Sequence, residues 1–128
     1  MSHFTRVKSR IFDRVALEEA LKDLNHRIAP LNVINGWQGA SRKADMVAKT
    51  SGPYDIGFIK AADGSYDIVA DWWGVRTTTG IEQERFVNQV TQRYAYRKVI
   101  GEVSRHGFEV TEQETCSDAS IRVAVRKW

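Results

Sequence analysis

The segment from Tyr54 to Gly74 constrains the fold more than any other part of the sequence. It contains two apolar runs, Tyr54–Lys60 and Ser65–Asp71, on either side of an Asp63-Gly64 dipeptide, and it ends in adjacent tryptophans. Asp-Gly supplies the positive backbone dihedral angles that tight hairpin turns require, and the flanking residues are typical of half-buried strands. The segment therefore predicts an antiparallel β-hairpin.

The rest of the sequence predicts strands and helices that complete a fold around this hairpin. Residues Phe4–Ile11 alternate in polarity with the period of a strand, and Arg14–Asn25 repeats its apolar residues with the period of a helix. A longer helix is predicted over Glu82–Arg105, with Gly107 as its C-terminal stop. Further strands are predicted at Ile28–Val33, Asp45–Lys49, Phe108–Thr115 and Ala119–Lys127, and loops at Asn35–Lys43 and Thr77–Gly80.

These elements occur in the order β-α-β-β-β-β-α-β-β and predict an α+β fold, with two helices packed on one face of a mostly antiparallel sheet. The chain has 128 residues and no internal linker or repeat, so we expect a single domain over residues 1–128. Its 42% hydrophobic and 27% charged residues are typical of a globular protein, and no apolar run is long enough to span a membrane. The net charge of +3 allows an anionic partner without requiring one.

The residue types that usually carry out chemistry are scarce. Cys116 is the single cysteine and lies in a polar stretch, which favours an inert turn residue over a nucleophile. It cannot form an internal disulfide, and with three scattered histidines it cannot build a conventional zinc site. No complete motif for phosphate, nucleotide or nucleophilic chemistry occurs. We therefore expect no cofactor, no metal and no catalytic residue, and a reducing compartment such as the cytoplasm.

The long predicted helix carries an unusual stripe of residues. Its members are spaced four, three, four and three residues apart, and they are Phe86, Val90, Arg93, Arg97 and Ile100. Two arginines therefore interrupt an apolar face. Either their stems cover apolar surface while their charged ends reach water, or an enclosed guanidinium needs a carboxylate or another anion for its donors. In the second case we expect Asp67 and Asp71 of the hairpin as ion-pair partners, unless the arginines line an anion-binding pocket.

Tryptophan residues provide candidate surfaces for a protein partner. Trp72 and Trp73 are consecutive, so on a strand their rings point to opposite sides of the sheet. One of the two rings is then available to a partner, unless the sheet ends there and both rings pack under the following loop. Trp37 lies in a glycine-flanked loop and is a third candidate.

Basic residues provide a candidate surface for nucleic acid. Arg42 and Lys43 lie in the same predicted loop as Trp37, a composition suited to stacking on a base and contacting phosphate. The predicted first strand adds a basic face that consists of Arg6, Lys8 and Arg10. The spacing of these residues matches no established phosphate-binding loop.

Six segments of the chain, read together, resemble one known family. They are MSHFTRVKSRI, GWQGASRKADMV, YDIGF, DIVADWWG, FVNQVTQRYAY and SIRVAVRKW. In their order and in overall length they resemble the family known as hypothetical chloroplast open reading frame number thirty-five, found in cyanobacteria, some plastid genomes and other bacteria. That family has no assigned reaction, cofactor or catalytic residue. The resemblance implies the stroma as the location of a plastid-encoded member. It also implies a role in a larger system, since some relatives are encoded near an ATPase of the AAA type.

From these observations we expect a non-enzymatic protein-binding or adaptor module, with an AAA-type ATPase as one implied partner. The first alternative is a nucleic-acid-binding domain that uses the basic residues named above. The second alternative is a small enzyme or anion-binding domain centred on Arg93 and Arg97.

Overall fold

Three helices and nine strands form the part of the chain that the computed structural model describes, which is residues 4–36, 39–115 and 121–127. The helices are α1 (Arg14–Asp23), α2 (Trp72–Thr79) and α3 (Gln83–Arg105). The strands are β1 (Thr5–Val7), β2 (Arg27–Ile28), β3 (Val33–Asn35), β4 (Ser41–Lys43), β5 (Met46–Lys49), β6 (Ile56–Lys60), β7 (Tyr66–Ala70), β8 (Phe108–Thr115) and β9 (Ile121–Lys127). The predicted α+β class is confirmed.

Five strands form the main sheet in the spatial order β1-β7-β6-β5-β2, and each neighbouring pair is antiparallel. The predicted hairpin is confirmed as β6 and β7. In its turn the N–H of Gly64 donates to the carbonyl of Ala61, and Gly64 has a φ of +88°. Asp63 does not share that left-handed conformation, so the turn is of the longer type in which a glycine follows a type I turn.

Helices α1 and α3 cover one face of the main sheet and build the larger core with it. Side chains on a strand alternate between the two faces, and those of a helix meet at spacings of three and four residues. The buried residues of this core include Leu17 and Leu21 of α1, Met46, Phe58 and Ile68 of the sheet, and Phe86, Val90 and Tyr94 of α3. α3 begins and ends within one residue of the predicted positions, and Gly107 follows it in the left-handed region.

The opposite face of the sheet is covered by the short hairpin of β3 and β4. Ile34 of this hairpin is fully buried against Val47 and Val69. Gly57 makes room for it, because a Cβ atom at that position would lie 2.2 Å from Cδ1 of Ile34. The prediction of a loop throughout 35–43 is therefore wrong for Ser41–Lys43, which pairs with β3.

The region after β7 also differs from the prediction. We expected a strand end at the tryptophans and a loop at 77–80, but the chain forms α2. The carboxylate of Asp71 accepts a hydrogen bond from the N–H of Gly74 and caps the helix, and Gly80, with a φ of +78°, ends it. Threonines and glycine are poor helix formers, so the sequence pattern gave no sign of α2.

The C-terminal strands β8 and β9 were both predicted, and they pair with each other as a separate two-stranded sheet. This hairpin packs against α3. Trp37 and the predicted turn at Cys116 lie outside the described residues. Among the helices that the structure describes, none combines the length and the apolar character needed to cross a membrane.

Candidate functional site

Arg93 and Arg97 lie between α3 and α1, where both bind Asp23. Nε of Arg93 is 2.8 Å and Nε of Arg97 is 2.7 Å from Oδ2 of Asp23. Arg97 also places Nη2 2.6 Å from Oδ1 of the same carboxylate, so its contact is bidentate. Nη1 of Arg97 reaches Glu19 at 3.4 Å. We call these four residues, Glu19, Asp23, Arg93 and Arg97, the ion network.

The geometry of the ion network follows from helical spacing. Glu19 and Asp23 are four residues apart on α1, and Arg93 and Arg97 are four apart on α3, so each pair forms a stripe on its helix. The hydrogen bond from Arg97 is the main reason that the pKa of Asp23 falls from 3.8 to about 2, and Asp23 in turn raises the pKa of Arg97. Asp23 and Arg97 therefore both stay ionised at neutral pH.

The prediction that Asp67 and Asp71 form ion pairs with the two arginines is wrong. Asp67 alternates along β7 with core residues that face the helices, so its own side chain points to the opposite face of the sheet. There it lies 3.2 Å from Nε of Arg6 and 3.7 Å from Nζ of Lys8. Asp71 caps α2, as described above.

Other polar contacts attach α3 to the start of α1. The hydroxyl oxygen of Tyr94 accepts hydrogen bonds from the N–H groups of Phe12 and Asp13, both at 3.1 Å. Nζ of Lys98 lies 3.2 Å from Oδ2 of Asp13, which also caps α1. Asp13 at the start of α1 meets Lys98, and Asp23 at its end meets Arg93, so α1 and α3 run antiparallel.

The chemistry of the ion network is that of a structural clamp. The carboxylate of Asp23 already accepts hydrogen bonds from Nε of both arginines, so it occupies the position that an anionic ligand would take. The guanidinium of Arg93 also lies 4.4 Å from the centre of the Tyr96 ring, a further contact within α3. This geometry favours the structural interpretation of Arg93 and Arg97 over an anion-binding pocket.

The basic residues predicted to contact nucleic acid differ in their surroundings. Arg6 and Lys8 are partly neutralised by Asp67 on the face of the sheet away from the helices. Arg42 and Lys43 are exposed neighbours on β4, so their side chains point to opposite faces of that strand. Arg10 is exposed beyond the end of β1.

The two tryptophans of α2 have different environments. The ring of Trp72 is buried, and its centre lies 5.8 Å from that of Phe86. Trp73 is 42% exposed. Both line a cavity of about 230 Å³ between α2 and the start of α3. The exposed ring is therefore Trp73, and neither ring packs under a loop, because residues 77–79 belong to the helix.

The chain beyond Tyr94 lies outside both hydrophobic cores. None of the described side chains in 95–107 and 121–126 is buried. This part comprises the last turns of α3 and the β8–β9 hairpin, and we call it the C-terminal arm. It includes two exposed valines, Val99 at 45% and Val125 at 41%.

Sequence reasoning missed Asp23 and Glu19, although a signal was present. Their spacing of four residues on the first helix matches that of the two arginines on the second, with opposite charge. It also missed Arg76 and Arg85, which line cavities beside α2 and α3, since no pattern places two helices at that junction.

Comparisons with known proteins agree with the resemblance. A model of the family described as protein of unknown function DUF1257 matches residues 20–124. The uncharacterized protein ycf35 of Cyanophora paradoxa is 36% identical over 132 residues, which cover 100% of this chain and 98% of that protein. Proteins of the same name from Pyropia yezoensis and Guillardia theta are 33% and 29% identical, with the same coverage. Their name denotes a hypothetical chloroplast reading frame. No solved structure matches the chain.

Proposed function

The chain belongs to the family of unknown function DUF1257, and within that family we propose that it is a non-enzymatic protein-binding module, an adaptor in a larger assembly. The observation that carries this proposal is the C-terminal arm. Its described side chains are all at least partly exposed, although they include the turns of a long helix and one strand of a hairpin.

The register of the arm gives its hairpin two different faces. Side chains alternate between the two faces of a strand, so Ile121, Val123 and Val125 of β9 lie on one face. The other face of β9 carries Arg122, Ala124 and Arg126, and its two arginines pair with glutamates of β8. One row of β9 thus begins with three apolar residues, and the other contains two arginines on either side of an alanine.

An isolated two-stranded hairpin is marginally stable in water, because one apolar row buries too little surface. The apolar row of β9 is half-buried at Ile121 and Val123 and 41% exposed at Val125. A partner protein that covers this row would bury apolar surface, and each Å² buried stabilises the complex by about 25 cal/mol. The arm therefore has more to gain from a partner than the central strands β5, β6 and β7 of the main sheet, which are largely buried.

Affinity purification of the tagged chain from its native host tests this proposal. We would compare the wild-type chain with Val125→Asp and with a matched control, Val33→Asp, because Val33 is similarly exposed at 37% on a different hairpin. A nuclease-treated sample separates a protein partner from nucleic acid, and an AAA-type ATPase is the first protein to look for by mass spectrometry.

We expect a stoichiometric protein that survives nuclease and that Val33→Asp retains but Val125→Asp loses. A partner that both variants retain would contradict docking through the arm. Recovery of nucleic acid that disappears as the salt concentration rises would support the alternative nucleic-acid function instead.

A further inference from the structure

Three adjoining cavities surround the junction between α2 and α3, at the end of α3 opposite to the C-terminal arm. Their volumes are about 230, 280 and 360 Å³. The first and second cavities share Glu82, and the second and third share Ile81, so the three adjoin one another in a row. We call these three cavities together the junction groove.

The junction groove carries an excess of positive charge. Its lining includes four cations, Arg27, Lys49, Arg76 and Arg85, against the single carboxylate of Glu82. Lys49 is engaged by Asp55 at 2.8 Å. Arg76 and Arg85 are exposed on consecutive helices and face neighbouring cavities. Such an arrangement attracts a ligand with more than one negative charge.

The groove also offers hydrogen-bond donors and an apolar contact. The side chain of Glu82 at the start of α3 makes no capping hydrogen bond, so the first turn of that helix presents N–H groups and a positive dipole end. The ring of Trp73 is 42% exposed beside them.

We propose that the junction groove binds an extended acidic segment of a partner protein. Its carboxylates would contact Arg76 and Arg85, its backbone carbonyls would accept hydrogen bonds at the start of α3, and an apolar side chain would pack on Trp73. An extended peptide supplies all three kinds of group along one strand, whereas inorganic phosphate supplies negative charge and hydrogen-bond acceptors but no apolar side chain. This inference deepens the proposed protein-binding function, and it uses a different surface from the arm.

A binding measurement on the full-length chain tests the proposal. The probe is a fluorescein-labelled, capped oligoglutamate peptide with a central leucine, followed by fluorescence anisotropy, and the comparison probe replaces glutamate with lysine. The test variant is Arg76→Glu. Lys60→Glu is its matched control, since it changes the net charge equally at an exposed position of the β6–β7 hairpin, outside the three cavities.

We expect the acidic peptide to bind and the lysine peptide not to bind. Arg76→Glu should weaken binding by at least about tenfold, since it replaces a charge-assisted hydrogen bond with repulsion between two carboxylates. Lys60→Glu should change it by less than about twofold. The proposal would be overturned if both variants lost the same amount of peptide affinity or if the acidic peptide did not bind. It would also be overturned if inorganic phosphate displaced the peptide at the peptide's own concentration.

The arm variant separates this test from that of the proposed function. Val125→Asp should leave peptide binding unchanged, because Val125 pairs with Val110 just beyond the end of the 23-residue helix α3, and that helix separates it from the junction groove by about 30 Å. Peptide binding that persists while Val125→Asp still retains its cellular partner would uphold the groove and contradict the arm. Loss of peptide binding in Val125→Asp would contradict the inference that the arm and the junction groove are independent binding surfaces.

Discussion

Asp23→Asn should destabilise the fold measurably, although it removes only one charge and leaves the shape of the side chain unchanged. Asp23 accepts hydrogen bonds from both Arg93 and Arg97 and is itself only 16% exposed. The amide of asparagine cannot accept the same set of charged donors through two equivalent oxygens. The substitution therefore leaves two neighbouring guanidiniums between α1 and α3 without their shared carboxylate.

The pKa of Asp23 provides the magnitude. A carboxyl group whose pKa falls from 3.8 to about 2 on folding corresponds to about 2.5 kcal/mol of stabilisation in its ionised form. The arginine side chains remain 25% and 31% exposed, so water screens part of this interaction. We expect the free energy of unfolding to fall by about 1.5 kcal/mol, less than the 3–5 kcal/mol typical of breaking a fully buried pair.

Urea unfolding at neutral pH, followed by tryptophan fluorescence, measures this loss. Glu19→Gln is the matched control, because Glu19 is 46% exposed and meets Arg97 only at 3.4 Å, and it should cost less than about 0.5 kcal/mol. The stabilisation from Asp23 is complete above pH 3.8 and is lost as the pH falls through about 2. Equal effects of the two variants, or a difference between wild type and Asp23→Asn that is undiminished at pH 2, would refute this assignment.

Three further substitutions test the packing. Tyr94→Phe removes the acceptor of two backbone N–H groups and should lower the free energy of unfolding by about 1–3 kcal/mol in urea; an unchanged midpoint would mean that water replaces the hydroxyl. Gly57→Val places a Cβ 2.2 Å from Cδ1 of Ile34 and should cost at least about 2 kcal/mol by thermal melting, unless the β3–β4 hairpin moves away freely. Gly64→Val should cost about 1–3 kcal/mol because its φ is +88°, and an unaltered melting temperature would contradict the turn.

The elements that local patterns specify were predictable from the sequence. The β6–β7 hairpin shows the period of two that strands have, with a glycine in its turn, and α3 shows helical periodicity, with a glycine after its end. Both elements lie where the sequence predicts them. α2 was missed because its residues are poor helix formers, and the cap by Asp71 together with packing of Trp72 on Phe86 outweighs that preference.

The candidate site depended on tertiary geometry, which the sequence specified less completely. The two arginines were identified as anomalous on an apolar stripe, and they do bind a carboxylate, but the carboxylate belongs to α1. Strand alternation already argued against Asp67, because it lies between Tyr66 and Ile68, both of which face the helices. Choosing Asp23 required knowing that α1 and α3 pack side by side.

The position of the ion network on α3 connects the two proposed surfaces. Only Phe86, Val90 and Tyr94 of this helix are buried, so hydrophobic packing attaches only its first half to the core. Arg93 and Arg97 lie at the point where that packing ends, and an apolar stripe continued beyond them would need a third layer to cover it. Charged residues instead attach α3 to α1 there while the helix extends into the arm. Because a helix is stiff over this length, the clamp at Asp23 also fixes the direction of the arm relative to the junction groove. An adaptor that holds two partners at a set distance requires such a rigid connection.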